Sequence, residues 1–90
     1  MSVRIHLNPA LYHSINSQEV AVVSGNTVGE CLNHLVKQFP AIEEMLFAEN
    51  GKLLSYVCIY VNGEDAYPDE LAKPVKKGDE LHILYIIGGG

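Results

Sequence analysis

The chain has 90 residues, of which 48% are hydrophobic and 19% are charged, and this length and composition predict one small globular domain. The formal net charge of −5 argues against a nucleic-acid-binding protein, which would carry a basic patch. Two cysteines predict neither a disulfide framework nor a zinc site, and the absence of a signal peptide or of an apolar run long enough to span a bilayer predicts a cytoplasmic protein without a membrane partner.

The first third of the chain predicts two strands. In residues 3–8 the apolar side chains Val3, Ile5 and Leu7 alternate with polar ones, which is the period of a half-buried strand. Pro9 cannot donate a ladder hydrogen bond and ends this strand. Residues 10–18 are polar and typical of a loop, and residues 19–23 predict the second strand.

An amphipathic helix follows. Thr27 and Glu30 have the spacing of a capping box, in which the Thr27 hydroxyl accepts from the Glu30 amide and the Glu30 carboxylate reaches back to the Thr27 amide. Pro40 disfavours helical geometry at Phe39, so the helix should end there. Residues 41–47 predict a further short helical turn. One face of the main helix carries Val28, Cys31, Leu32, Leu35, Val36 and Phe39.

The second half of the chain predicts three more strands. Residues 56–61 are β-branched and aromatic, and Asn62-Gly63 predicts a hairpin to a short return strand over residues 64–67, which Pro68 ends. Residues 69–77 form a connector, and residues 80–87 are the last and most apolar strand.

This order of elements predicts an α+β fold. The most apolar strand belongs at the centre of the sheet, next to the first strand and parallel to it, with the helix in the right-handed crossover. The result is a ubiquitin-like β-grasp, a mixed five-stranded sheet of order 2-1-5-3-4 with one main helix. We expect residues 1–87 to form the domain and residues 88–90 to form a flexible glycine tail.

The sheet then has one face without a helix. If Leu81, Ile83, Tyr85 and Ile87 point to the helix, Tyr60, His82, Leu84 and Ile86 lie on the open face, and His6 becomes a cross-strand neighbour of His82. Exposed apolar patches tend to be interaction sites, so we predict partner docking at these four residues. The alternative is that residues 41–55 fold over them.

The glycines Gly88, Gly89 and Gly90 follow this strand directly. A tail without side chains can enter a narrow channel and present its carboxylate to the active site of another protein. Adenylation by ATP would make that carboxylate reactive towards a sulfur nucleophile, and the product would be a thiocarboxylate. The ATP, the magnesium and the catalytic groups would belong to the partner, so the domain needs no catalytic residue and no cofactor of its own. The alternative is a disordered terminus without a chemical role.

The whole chain resembles the ThiS/MoaD family of ubiquitin-like sulfur carriers, and within it the longer MoaD-like and cysteine-biosynthesis members. The resemblance rests on four motifs, at residues 25–30, 61–65, 77–81 and 89–90. It implies that an E1-like enzyme adenylates Gly90 and that the thiocarboxylate donates sulfur to an acceptor enzyme. That acceptor would be a cysteine synthase, a molybdopterin synthase large subunit or a thiazole synthase, with cysteine biosynthesis first and thiamin third.

Two departures from the family pattern lie in the tail. The family commonly has a small or polar residue before its final pair of glycines, and the third glycine that stands there, Gly88, should loosen the tail slightly without blocking the chemistry. Many MoaD-like tails carry proline in the segment matched by residues 85–87, and the absence of proline here weakens the molybdopterin assignment. Outside the family, a passive ubiquitin-like interaction module and a protein modifier that forms amides with lysines stay open.

Three further features have ordinary structural explanations. Cys31 lies on the buried stripe of the helix, and nothing in the sequence lowers the pKa of the Cys58 thiol on the open face. The four histidines do not have metal-ligand spacing. Acidic residues form an edge that is either a solvated surface or a contact for a basic partner, namely Glu64, Asp65, Asp69 and Glu70.

Overall fold

The computed structural model of the chain describes residues 2–8 and 19–86. The predicted loop over residues 10–18, the inward position of Ile87 and the glycine tail therefore lie outside the described residues. In chain order the elements are β1 Val3–His6, β2 Val20–Val23, α1 Val28–Gln38, a 3₁₀ turn Pro40–Ile42, α2 Glu43–Leu46, β3 Val57–Val61, β4 Glu64–Asp65, a 3₁₀ turn Glu70–Ala72 and β5 Glu80–Tyr85.

The strands form one mixed sheet of order β2-β1-β5-β3-β4, which confirms the predicted topology. The central pair, β1 and β5, is parallel, with Ile5 opposite Leu81 and His6 opposite His82. The other neighbours are antiparallel, and β3 pairs with β5 so that Ile59 lies opposite Ile83. The last strand is therefore hydrogen-bonded on both sides, as expected for the most apolar strand of the chain.

The core lies between α1 and one face of the sheet. The burial alternates along β3 and β5 as the sequence pattern requires, and Ile59, Leu81 and Ile83 are almost completely buried. On α1 the buried positions are Val28, Cys31, Leu32 and Leu35, while Val36 and Phe39 pack at its margin. Ile42 and Leu46, from the turn and the short helix that follow α1, are also completely buried and close one end of the core.

The start of α1 differs in one contact from the predicted capping box. The Thr27 hydroxyl accepts from the Glu30 amide at 3.2 Å, as expected, but the Glu30 carboxylate accepts from the Asn26 amide at 2.8 Å and not from that of Thr27. The connector before β5 explains the difference. In this connector the Val75 amide donates to the Asn26 carbonyl, and the Lys73 carbonyl accepts from the Val28 amide. With that pairing in place, the Asn26 amide faces the Glu30 carboxylate.

The β3–β4 hairpin has the predicted turn at Asn62-Gly63, but its return strand is shorter than the sequence predicts. Asn62 and Gly63 have φ angles of 50° and 86°, the left-handed pair that a two-residue type I′ turn requires. The return strand was predicted over residues 64–67, but β4 ends at Asp65. Pro68 has no amide hydrogen to offer β3, so the ladder cannot extend to it. The chain turns away into the Glu70–Ala72 turn, which the sequence pattern did not predict.

Candidate functional site

The described chain ends at Ile86, beside the open face of the sheet. The Ile86 amide donates to the Tyr56 carbonyl at 2.8 Å, which continues the β3–β5 ladder by one pair beyond the strands. Gly88, Gly89 and Gly90, the predicted adenylation tail, lie outside the described residues. Ile86 is thus the last described residue before the tail.

The apolar end of the open face lies around Ile86. Leu84 is 44% exposed and Ile86 is 58% exposed, and Tyr56, opposite Ile86 in the ladder, is 48% exposed. The predicted alternation of β5 is confirmed, because Leu84 and Ile86 are open while their neighbours Leu81 and Ile83 are buried. Tyr60 and His82 are half-buried and lie opposite each other in the next row of the face.

Residues 41–55 do not cover this end of the face. The Met45 carbonyl accepts from the Tyr85 hydroxyl at 2.7 Å, and the Leu54 amide donates to the Leu46 carbonyl at 2.8 Å. These contacts and the burial of Leu46 hold the segment against the core at the margin of the sheet. The alternative that it covers Leu84 and Ile86 is therefore wrong.

The polar end of the face is built around two histidines. The rings of His6 and His82 stack with centroids 4.3 Å apart and an angle of 7° between the planes, as their predicted cross-strand position allows. His6 Nε2 lies 2.5 Å from Glu80 Oε1. This hydrogen bond lowers the pKa of the Glu80 carboxyl, so Glu80 is a carboxylate at neutral pH.

The start of β5 is fixed by a small polar network below this pair. Asp79 is buried, and its carboxylate accepts from Asn62 Nδ2 at 3.0 Å and from the Lys76 amide at 2.9 Å. The Glu80 amide donates to Asn62 Oδ1 at 2.9 Å. The hydrogen bond from Asn62, followed by that from Lys76, holds the pKa of Asp79 below its usual range. The network ties the hairpin turn to the start of β5 and so helps to hold the register between β3 and β5.

Neither cysteine has an activated thiol. Cys31 is completely buried, and burial raises its pKa. Burial also raises the pKa of the Cys58 thiol, and the negative charges of Asp65 and Glu70 raise it further. A raised pKa leaves little thiolate at neutral pH, so the geometry does not favour a nucleophilic role.

The sequence analysis missed two exposed apolar residues of this face. Val22 is 56% exposed and lies opposite Arg4 in the β1–β2 ladder, and Tyr56 immediately precedes β3. The alternation of Cys58 and Tyr60, extended back by two residues, would have placed Tyr56 on the open face. The exposure of Val22 depends on the register between β1 and β2, which the sequence does not specify.

Comparison with known proteins places this geometry in a family. The sequence matches the ThiS family over residues 5–90. The chain belongs to the ThiS family. The resemblance to the ThiS/MoaD sulfur carriers is thereby confirmed, and the match includes the glycine tail.

Individual relatives in this family are similar along the whole domain. The chain is 32% identical to the sulfur carrier protein CysO of Mycobacterium tuberculosis over 93 residues, which cover all of both chains. It is 36% identical to the small archaeal modifier protein 1 of Haloferax volcanii over 64 residues, which cover 71% of this chain and 70% of that one.

A solved structure confirms the ubiquitin-like β-grasp fold. In the crystal structure of the BexX/CysO complex of Amycolatopsis orientalis, the matching chain has a TM-score of 0.88 and 29% identity, with 98% of this chain and 99% of that chain covered. Within the residues that the structure describes, no helix has the length and the apolar character needed to cross a membrane.

Proposed function

We propose that this protein is a sulfur carrier, a co-substrate of other enzymes and not an enzyme itself. The observation that carries the proposal is the family match, which extends through Gly90, together with full-length similarity to a protein named as a sulfur carrier. In the proposed cycle the Gly90 carboxylate attacks the α-phosphorus of ATP, and pyrophosphate leaves. Sulfide then attacks the acyl carbon and displaces AMP, which leaves a thiocarboxylate.

The described geometry is compatible with this chemistry because it separates docking from reaction. Four residues, 87–90, follow Ile86, and the last of them carries the carboxyl group. An extended chain of four residues spans at most about 14 Å. An activating enzyme that docks at Tyr60, His82, Leu84 and Ile86 would therefore receive the carboxylate within that distance of the apolar end of the face. In this proposal residues 1–87 are the β-grasp domain that the partner binds, residues 88–90 are the reactive tail, and the cytoplasm is the compartment.

Cysteine biosynthesis is the pathway that we favour, since CysO carriers are 32% identical to this chain over its whole length. The E1-like enzyme that supplies ATP and magnesium, and a cysteine-synthase-like acceptor, are the partners implied. A MoaD-type role in molybdopterin synthase is the alternative, followed by a ThiS-type role in thiamin synthesis.

A second candidate is a protein modifier. It rests on the similarity to the small archaeal modifier protein 1. In this case the activated Gly90 carboxyl group would form an amide with a lysine of another protein. Both candidates require activation of the same carboxyl group, and they differ only in the nucleophile that displaces AMP.

Intact mass spectrometry tests the proposal. The full chain is incubated with ATP, magnesium, the host's E1-like enzyme and sulfide, and we expect the mass gain that corresponds to replacement of one oxygen by sulfur. A variant that lacks Gly90 should fold normally and gain no mass. Amide adducts to lysines, without any thiocarboxylate, would favour the modifier. No change in mass, with an activating enzyme that is active on its own known carrier, would contradict both and favour a passive interaction module.

A further inference from the structure

A groove of about 730 Å³ lies at the outer edge of β3, next to the residues where β4 stops short. Residues 52–55 form one wall, and residues 67–72 form the other. The apolar part of the lining comes from Leu53, Leu54, Val57, Tyr67, Pro68 and Leu71. None of these residues belongs to the four predicted docking positions on the open face, although Ile86 touches the rim of the groove.

The floor of the groove is a strand edge with a free hydrogen-bond acceptor. The β3–β5 ladder bonds Tyr56 to Ile86, so by the alternation of an antiparallel pair Val57 directs its backbone groups away from β5. The Val57 amide donates to the Leu54 carbonyl at 3.0 Å. If β4 continued, Pro68 would lie opposite Val57, but proline has no amide hydrogen to donate. The Val57 carbonyl therefore faces the groove without a backbone donor among the described residues.

The rim of the groove is acidic. Asp65, Asp69 and Glu70 line it, while Lys52 is the one basic side chain among the lining residues. The negative charge extends to the floor, because Asp65 and Glu70 both act on the Cys58 thiol and help to raise its pKa. An apolar trough with an acidic rim, and with the Val57 carbonyl on its floor, is complementary to an extended segment that carries both apolar and basic side chains.

We propose that this groove binds an extended basic segment of a partner protein, which places apolar side chains between Leu53 and Leu71, sets arginine or lysine against Asp69 and Glu70, and donates a backbone N–H to the Val57 carbonyl. This surface adjoins the open face and shares Cys58 and Ile86 with it, but it includes none of Tyr60, His82 and Leu84. Its occupation requires no chemistry at Gly90. The inference therefore holds or fails independently of the proposed sulfur-carrier function.

The experiment uses the full chain and three blocked heptapeptides. The first peptide alternates valine and arginine, the second replaces every arginine with glutamate, and the third is the arginine peptide with its backbone N–H groups methylated at the central valines. Binding is followed by amide chemical shifts and by the rate at which a thiol reagent modifies Cys58, which lines the groove. Cys31 is completely buried and provides an internal control for unfolding.

We expect the arginine peptide to shift the amides of residues 52–58 and 65–72 and to slow the modification of Cys58. The glutamate peptide should do neither. The N-methylated peptide should bind at least about threefold more weakly, because it cannot donate to the Val57 carbonyl. The Asp69→Lys/Glu70→Lys variant should lose about tenfold in affinity for the arginine peptide, which corresponds to about 1.4 kcal/mol.

A matched control separates the groove from net charge. Glu43→Lys/Glu44→Lys makes the same change in charge at two exposed residues of α2, outside the groove, and its affinity should stay within about twofold of the natural chain. Ser55→Trp fills the groove from an exposed position without altering its charge and should abolish binding. Shifts that cluster on His82 and Leu84, equal binding of the glutamate peptide, or no binding at millimolar peptide would overturn the proposal. Equal binding of the methylated peptide would overturn the contact with Val57.

Discussion

Replacement of Leu84 by aspartate tests whether the open face of the sheet is a docking surface. Leu84 is 44% exposed, so roughly half of the 1.5–3 kcal/mol that full burial of a leucine contributes, or about 1 kcal/mol, is at stake in the free protein. The poor strand propensity of aspartate adds up to about 1 kcal/mol. We expect the free energy of unfolding to fall by about 1–2 kcal/mol, which leaves the protein folded.

The effect on docking should be larger. A partner that covers Leu84 removes its remaining exposed surface from water, a contribution of about 1 kcal/mol. In the variant the same partner must instead desolvate a carboxylate, which costs several kcal/mol unless a cation pairs with it. A total loss of at least about 3 kcal/mol corresponds to a decrease in affinity of more than about 100-fold.

The assay combines urea unfolding with titration of the variant against the E1-like activating enzyme. Leu84→Ala is the intermediate variant, which removes the apolar contact without adding a charge and should lose about fivefold in affinity. Ile83→Ala is the core control. Ile83 is 1% exposed, so its replacement by alanine should lower the free energy of unfolding by about 2–5 kcal/mol. A stability loss in Leu84→Asp as large as that of Ile83→Ala would refute the placement of Leu84 on the open face of the sheet. Unchanged affinity in a folded Leu84→Asp variant would refute the docking role.

Three further predictions concern the framework that supports this face. The pKa of Asp79 is lowered from its ordinary value of 3.8, so the contribution of this carboxylate to stability is complete above that value and is lost as the pH falls through the folded-state pKa. The free energy of urea unfolding, measured between about pH 4 and about pH 2, should therefore depend less on pH in Asp79→Asn than in the natural chain. Gly25→Ala would place its Cβ 2.8 Å from the Cys31 backbone nitrogen, and we expect a loss of about 1–3 kcal/mol in urea unfolding, whereas a neutral result would mean that the α1 start can shift. Thr27→Ala should lose about 1 kcal/mol in the same assay and Thr27→Ser very little, because only the hydroxyl accepts from the Glu30 amide; equal losses would contradict the capping role.

The sequence predicted those features that depend on neighbours along the chain. The alternation of Leu81 to Ile86 follows from the two-residue period of a strand, and the buried stripe of α1 follows from the period of a helix. Asn62-Gly63 specifies a turn because both residues tolerate a positive φ. The strand order also followed, because one crossover helix and one most apolar strand leave few topologies. The chemistry expected of Gly90 and the docking role of Leu84 and Ile86 stay predictions.

The tertiary structure decided the contacts that join residues far apart in sequence. Three features depend on which segment packs beside another. They are the hydrogen bond between His6 and Glu80, the exposure of Val22 opposite Arg4, and the hydrogen bond by which Glu30 accepts from the Asn26 amide and not from the Thr27 amide. The groove at β3 has the same origin. Pro68 indicates in the sequence that β4 must end, but only the folded chain shows that no other described segment takes its place beside Val57. Local periodicity is a property of the backbone and can be read from the sequence, whereas register and coverage depend on how separate segments share one core.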